Sequence, residues 1–436
     1  MTSKNIVVVG SCMIDFVSYA PRLPQPGETI HGTKFMTNFG GKGANQCVAA
    51  AKLGGRTILV ARVGDDLWGD QYIANLKTEK VETKYIQKTA DATSGIAQIT
   101  VSDTGDNQIV VVAGANEYLN VEDLDEARHD ISGAGVVVLQ LETSPEVAIK
   151  ALQLCRGISI LNAAPALDEY DRRLLTLPTI FCVNEIEASV FTGLPVTTLA
   201  EAKLAAQDLI KKGCNSVVLT LGDKGALYLE KSSPESVYHT SPSVNCIDST
   251  GAGDAFVGAF AFFLANYKNL SIEKMIESAC YIAADSVIFL THFIFIALSS
   301  MGFWSTSAFL FYNFFLILFL VWSIYQPQSE EPVQLAIVVN GVSIFLDILL
   351  LVMCYPSSAI LAREKFSAAM CILHLIIRPF STVVLIKNLE ERTGTNGALS
   401  GFFGASPQQS SYEDIDRNVP QTSQGGAYDF ANAQQI

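Results

Sequence analysis

Short apolar runs alternate with amphipathic stretches through the first two thirds of the chain, and long apolar runs replace them afterwards. Ile6–Val9, Thr57–Val63, Val136–Leu141, Ile158–Asn162, Ile180–Val183 and Ser216–Leu221 are too short for core helices and read as buried strands. Between them, Asn45–Leu53, Asp66–Lys77, Glu146–Cys155 and Leu199–Lys212 carry helical periodicity. That alternation predicts an α/β fold with a doubly wound, mainly parallel sheet covered on both faces. Thr29–Asn38 and Ser94–Val112 alternate polar and apolar residues around Gly turns, which predicts a small β lid.

From Ile288 to about Asn388, Phe, Leu, Ile and Val dominate, and the change near Asp285–Ile288 comes without a linker. Four runs follow one another: Val287–Leu298 with its extension to Phe303, Ala308–Tyr325, Val333–Tyr355 and Phe366–Ile386. A bilayer core needs about 20 apolar residues per helix. The last three runs fit and the first is short; a buried core hairpin is the alternative. Asp347, His374 and Arg378 lie inside these runs. Ionisable groups in a bilayer face a partner, so an Asp347–Arg378 pair is expected. Arg363 and Lys365 favour a cytosolic loop, whereas Lys387 and Arg392 favour a cytosolic tail. With the soluble part in the cytosol, four spans place the tail there too. Thr393–Ile436 has the composition of a disordered segment. The expected organisation is an α/β domain over 1–287, an all-α transmembrane domain over 288–388 and a disordered tail over 389–436.

Composition narrows the functional classes. The 436 residues hold 43 Asp and Glu against 29 Lys and Arg, a net charge of −14 that disfavours a nucleic-acid partner. Nine cysteines are scattered without a C-x-x-C pair, as for reduced thiols in the cytosol. No H-E-x-x-H or Cys/His cluster points to zinc. The apolar run after Asn5 is short, a buried strand rather than a signal peptide.

Candidate chemistry sits in small-residue turns. In Asp248-Ser249-Thr250-Gly251-Ala252-Gly253-Asp254, residues with little side chain precede the apolar helix Ala255–Leu264. Backbone amides at such a helix start can hold a phosphate, and Asp254 in its first turn can accept a proton. That combination suits phosphoryl transfer to an alcohol; a Gly-rich turn before a core helix is the plainer reading. Phe39-Gly40-Gly41-Lys42-Gly43-Ala44-Asn45-Gln46 is a second such turn, and it is not a Walker A loop because Lys42 precedes Gly43. No G-x-G-x-x-G follows the first strand either, which disfavours a dinucleotide fold. A hydroxyl-rich molecule on Asp15, Lys42 and Asn45 is the sharper hypothesis, and a structural turn the other. Asp15, Glu142, Asn184 and Gly222 fall at carboxyl ends of strands, where such sheets bind ligands. Asn184 and Glu187 share a helical face and could hold Mg²⁺ through water, or simply start a helix. The turn Thr220-Leu221-Gly222-Asp223-Lys224-Gly225 could admit a nucleotide.

Taken together and in this order, these motifs resemble the ribokinase family of sugar and nucleoside kinases over residues 1–287. The resemblance implies ATP-dependent phosphorylation of the 5-hydroxyl of ribose. It implies Asp254 as base and Gly251, Ala252 and Gly253 as an anion hole. Met13, Ile14, Asp15, Gly41, Lys42, Gly43, Ala44, Asn45, Glu142 and Asp254 would line the sugar site. Asn184, Thr220, Leu221, Gly222, Asp223, Lys224, Gly225, Gly253 and Asp254 would serve ATP, with Asn184 and Glu187 placing Mg²⁺. Asp248 and Thr250 would form part of a K⁺ site. Members of the family commonly pair through the lid, so a homodimer is implied. The family pattern continues past Val287 with a loop completing the K⁺ site, whereas this chain turns apolar, and Cys280 replaces an Asn beside the adenine. An incomplete K⁺ site and weakened or absent activity follow from that departure.

The remainder resembles the type-1 angiotensin II receptor-associated proteins, through Phe345-Leu346-Asp347-Ile348, Tyr355-Pro356, Arg378-Pro379, Gly401-Phe402-Phe403-Gly404 and Ser411-Tyr412-Glu413-Asp414-Ile415-Asp416. That resemblance implies a multi-pass membrane protein whose cytosolic tail binds a receptor. Three readings stand: a membrane-anchored sugar kinase, a membrane adaptor with an inactive kinase portion, and an artefactual fusion of two genes.

Overall fold

The structure is a computed structural model and describes residues 4–103, 106–240, 251–300, 307–325, 331–354 and 362–393. In chain order its strands are β1 (Ile6–Val9), β2 (Met13–Ala20), β3 (Lys34–Gly40), β4 (Thr57–Gly64), β5 (Glu82–Thr89), β6 (Gly95–Ser102) and β7 (Asn107–Val112). They continue as β8 (Val136–Leu139), β9 (Ile158–Asn162), β10 (Ile180–Asn184), β11 (Ser216–Thr220), β12 (Ala226–Glu230) and β13 (Ser233–His239).

β1 shows why a covered sheet forms. Its four residues Ile-Val-Val-Val are all buried, and their side chains divide between two cores. Ile6 and Val8 join one core with helices Lys42–Lys52, Leu67–Thr78 and Ala252–Asn266. Val7 and Val9 join the other with Pro145–Leu154 and Leu199–Lys212. Residues alternate across a strand, so an unbroken apolar run must be covered on both faces.

Among the described residues the main sheet runs β13-β12-β11-β10-β9-β8-β1-β4-β5. It is parallel from β5 to β11 and antiparallel at β12 and β13. From β1 the chain builds outward to β4 and β5 on one side, and from β8 to β11 on the other. The order therefore reverses between β1 and β8, the crevice where such sheets bind ligands. A second sheet, β3-β2-β6-β7, forms the expected lid.

Two boundaries differ from the sequence expectation. The lid contains β2, which polar Asp15 and Ser18 interrupt and which follows β1 after only Gly10–Cys12. The first apolar run is not a separate span: one helix, Ile272–Ser299, crosses the change in composition. Ala283-Ala284-Asp285-Ser286-Val287 contains neither Pro nor Gly, so nothing in that stretch stops a helix. Met275, Ile276, Ala279 and Cys280 of this helix lie in the α/β core, whereas His292 and Ile296 are buried among Ser307–Tyr325, Glu331–Cys354 and Ala362–Thr393.

Candidate functional site

The crevice between β1 and β8 gathers most of the expected polar residues. Lys42–Lys52 begins at Lys42 rather than Asn45, so Asn45 and Gln46 lie one turn inside it. Asn45 donates from Nδ2 to Asp254 Oδ2 at 3.0 Å, and Gln46 donates from Nε2 to Asp254 Oδ1 at 2.9 Å. Asp254 stands in the first turn of Ala252–Asn266, whose N-cap Gly251 has φ +79°. Among the described residues, nothing lies within 4 Å of where a Cβ on Gly251 or Gly253 would sit. Among the described residues the helix start is therefore open beside a carboxylate held by two amides.

The glycines of the other turn have a different use. A Cβ on Gly41, which has φ +92°, would meet Met13 N at 2.9 Å, and one on Gly43 would meet Ser11 N at 2.5 Å. Their small size lets the turn lie against the chain leaving β1. Glu142 fastens the same junction, accepting from Ser11 Oγ and from the Lys42 backbone N–H at 2.8 Å. The turn is thus braced from β8's end as well as β1's.

Burial sets the electrostatics. It pushes Asp15 up to about 6, with the Glu142 charge adding to the rise. Burial also pushes Glu187 up to about 7, against a backbone hydrogen bond from Asn184 and the Lys42 charge, while Asp254 pushes the same way as burial. Glu187 thus senses both Lys42 and Asp254.

Asn184 and Glu187 form a reciprocal cap. Asn184 Oδ1 accepts from Glu187 N at 2.8 Å, and the Glu187 carboxylate accepts from Asn184 N at 2.8 Å and Nδ2 at 3.0 Å. The cap uses one lone pair on each oxygen, which leaves capacity for a hydrated cation. Among the described residues no three His, Cys, Asp or Glu converge as a metal site.

Thr220 pairs with Asn184 across the ends of β10 and β11. The turn beyond it closes on itself, Leu221 N–H donating to Gly225 O at 2.7 Å. Asp223 and Lys224 are exposed there, whereas the Leu221 side chain is buried in the core. Ile14 and Ala44 are core residues as well, so only their backbone can face a ligand, and Met13 is buried against Gly40 and Gly41. Asp248 and Thr250 lie outside the described residues, as do Phe303, Tyr355-Pro356, Gly401–Gly404 and Tyr412.

Sequence reasoning did not single out Gln140 and Asn162, nor give Gln46 a role. Gln140 Nε2 donates to Gln46 Oε1 at 2.6 Å, and Gln46 Nε2 donates to Asn162 Oδ1 at 2.9 Å. For Gln140 and Asn162 the available signal was position, since each is a polar residue closing an apolar strand. An open depression of about 610 Å³ on the lid, lined by Ser18, Glu28, Thr29, Lys34 and Phe35 among others, includes none of these residues.

The C-terminal helices have a polarity opposite to the α/β part. Phe311, Phe345 and Val352 are exposed, whereas Asn313, Asn340, Asp347, His374 and Arg378 are fully buried. Arg378 donates from Nε to Asp347 Oδ2 at 2.6 Å, from Nη1 to Asn340 Oδ1 at 2.9 Å, and from Nη2 to Asn313. His292 and His374 meet through ring nitrogens at 2.8 Å, and His292 also meets Ser381 at 2.9 Å. Among the described residues, Glu331–Cys354 and Glu364–Ile386 are long and apolar enough to cross a bilayer, and Phe309–Ile324 is apolar but shorter.

Residues 3–287 match the family model described as pfkB family carbohydrate kinase, and residues 282–431 match that of angiotensin II, type I receptor-associated protein. The two matches overlap on the helix that joins the two parts. Mouse ribokinase is 48% identical over 285 residues, covering 65% of this chain and 88% of the relative. Deoxyribokinase of Salmonella typhi is 38% identical over 286 residues, covering 65% and 92%. The solved structure of Arabidopsis thaliana ribokinase complexed with ribose and ATP superposes with a TM-score of 0.61 at 29% identity, over 66% of this chain and 93% of that one.

Proposed function

Because the chain belongs to the pfkB family of carbohydrate kinases through residues 3–287, we propose that its α/β part phosphorylates the 5-hydroxyl of ribose, with ATP as donor. The observation that carries this reading is Asp254, held by Asn45 and Gln46 at the open start of Ala252–Asn266. Asp254 takes the proton of the sugar hydroxyl as that oxygen attacks the terminal phosphorus of ATP. The bond from phosphorus to the bridging oxygen breaks, and ADP leaves with its electron pair. Amides of Gly251, Ala252 and Gly253 stabilise the charge on the transferring phosphoryl group.

Asp15, Lys42, Asn45 and Glu142 orient the sugar from the turn that Ser11 and Glu142 brace, with Met13 and Gly41–Ala44 shaping its wall. Asn184 and the Thr220–Gly225 turn receive the nucleotide at the ends of β10 and β11. Asn184 and Glu187 would hold Mg²⁺ through water, and the ion would neutralise phosphate charge. K⁺ belongs to the same reading through Asp248 and Thr250. Mouse ribokinase and the Arabidopsis ribokinase complexed with ribose and ATP support ribose as substrate, while the deoxyribokinase makes deoxyribose the competitor to test. Val110, Val111 and Val112 are exposed along β7, which supports pairing of two lids in a homodimer.

The test is ADP release by the purified chain in ribose and Mg·ATP. Ribose-dependent release that Asp254→Asn abolishes supports the assignment. Equal turnover in the two proteins removes Asp254 as base, and preference for deoxyribose changes the substrate.

The inverted polarity of the C-terminal helices supports a second property, membrane anchoring through several spans. Apolar side chains there face outward while Asp347 and Arg378 are enclosed, the arrangement lipid demands. ATP supply places the kinase part in the cytosol, with the tail on the same side and available to a receptor. Retention of the chain in the membrane fraction after alkaline carbonate extraction is expected; release would leave the helices as a soluble bundle. Absence of ribose-dependent turnover in a membrane-retained chain would favour the adaptor reading.

A further inference from the structure

Asp254 is the end of a chain of three buried amides. Gln46 and Gln140 are at most 1% exposed and Asn162 is 9% exposed, so these amides have few alternatives in water. An ionised carboxylate only accepts hydrogen bonds, so the Gln46 amide group must turn its NH₂ toward Asp254 Oδ1. That choice points Gln46 Oε1 at Gln140, which must then present its own NH₂. Asn162 Oδ1 accepts the second hydrogen of Gln46, and Asn162 Nδ2 donates to Cys182 O at 3.4 Å. Each amide therefore has one orientation. Gln140 Oε1, at the far end, has no partner among the described residues and lies where a Cβ on Gly10 would be 2.0 Å away.

We propose that Gln46, oriented by Gln140 and Asn162, is the positioning residue for Asp254: it immobilises Oδ1 and leaves Oδ2 as the oxygen that takes the proton. Oδ2 is bonded instead to Asn45, whose amide stands on the turn assigned to the sugar. An incoming hydroxyl can share Asn45, whereas Gln46 is enclosed. This inference rests on the reading of Asp254 as the base.

The test uses the full chain in detergent. Gln46→Ala is expected to lower kcat by about 10- to 100-fold while the ribose and ATP KM values stay within about threefold, because misplaced reacting groups cost rate more than binding. Gln46→Glu keeps the shape and the bond from Gln140 but offers Asp254 a second carboxylate, and it should lower kcat at least as far. A raised ribose KM with unchanged kcat would overturn the proposal, as would full activity in Gln46→Glu. If the unaltered chain turns over no ribose, the kinase reading fails separately. A denaturation cycle over Gln46→Ala and Asp254→Ala then decides the relay: coupling of about fivefold or more in the unfolding equilibrium supports it, and additivity overturns it.

Discussion

Arg378 donates from Nε to Asp347 Oδ2 at 2.6 Å, and neither side chain is exposed. The pair joins Glu331–Cys354 to Ala362–Thr393, and Asn313 brings in a third helix. Removing one partner leaves the other charge enclosed and unpaired, which costs about 3–5 kcal/mol. Asp347→Ala and Arg378→Ala are each expected to destabilise the chain strongly, and the double variant by much less than their sum. Unfolding in detergent micelles measures this; strict additivity would dissolve the pair.

The two helices that carry Asn45 and Asp254 meet at Gly258. A Cβ there would fall 2.6 Å from both Ala49 Cβ and Gln46 O. Backbone cannot yield cheaply, so Gly258→Ala must part the helices. Overpacking of this kind costs about 1–3 kcal/mol. The same displacement draws Asp254 away from Gln46, so kcat should fall along with stability. A variant that loses stability but keeps its kcat would show that the base is positioned from elsewhere.

Local sequence makes some of this site readable and leaves the rest hidden. Gly251 and Asp254 announce themselves because a small-residue turn before an apolar helix is a contiguous signal. The partners of Asp254 are not contiguous: Gln46 lies 208 residues away, and Gln140 lies 94 residues from Gln46. The order of β9, β8 and β1, together with the contact of the two helices at Gly258, brings them together. β2 is hard to see in the sequence because Asp15 and Ser18 break its apolar pattern, although it pairs on both sides, with β3 and β6. At Asp285–Ile288 composition changes but helix propensity does not, so a boundary in hydropathy is not a boundary between elements. The Asp347–Arg378 pair is legible for the opposite reason: opposite charges inside apolar runs leave few partners.

Burial holds the Asp15 carboxyl up to about 6. Hydroxyl groups of a sugar bind best to the ionised form, which accepts charge-assisted hydrogen bonds. Ribose affinity should therefore be full at neutral pH and weaken below about 6, approaching about tenfold per pH unit. Calorimetric titration of ribose between pH 5 and 8, on the order of the range where this group changes charge, reads the effect directly. Asp15→Asn should bind ribose weakly and without that dependence. An unchanged profile in Asp15→Asn would assign the titration to another group.

Glu187 makes a prediction about stability rather than binding. Burial raises its folded-state value from 4.5 to about 7, despite the hydrogen bond from the Asn184 backbone. The native carboxyl therefore holds its proton more tightly than the unfolded one does. Between those two values the folded state binds more protons, so stability falls as pH rises through the window and levels off above it. The loss approaches about 3 kcal/mol at most, since a tenfold difference in proton affinity between the two states is worth about 1.4 kcal/mol. Denaturant unfolding followed by Trp68, which is partly buried against the α/β core, reports on the right part of the chain. Glu187→Gln should flatten the slope between pH 4.5 and 7. Its absolute stability will also reflect the altered cap with Asn184, so the slope is the quantity that decides. A slope equal to that of the unaltered chain would mean that Glu187 is ionised in the folded protein throughout, and that its carboxylate is held by charge rather than penalised by burial.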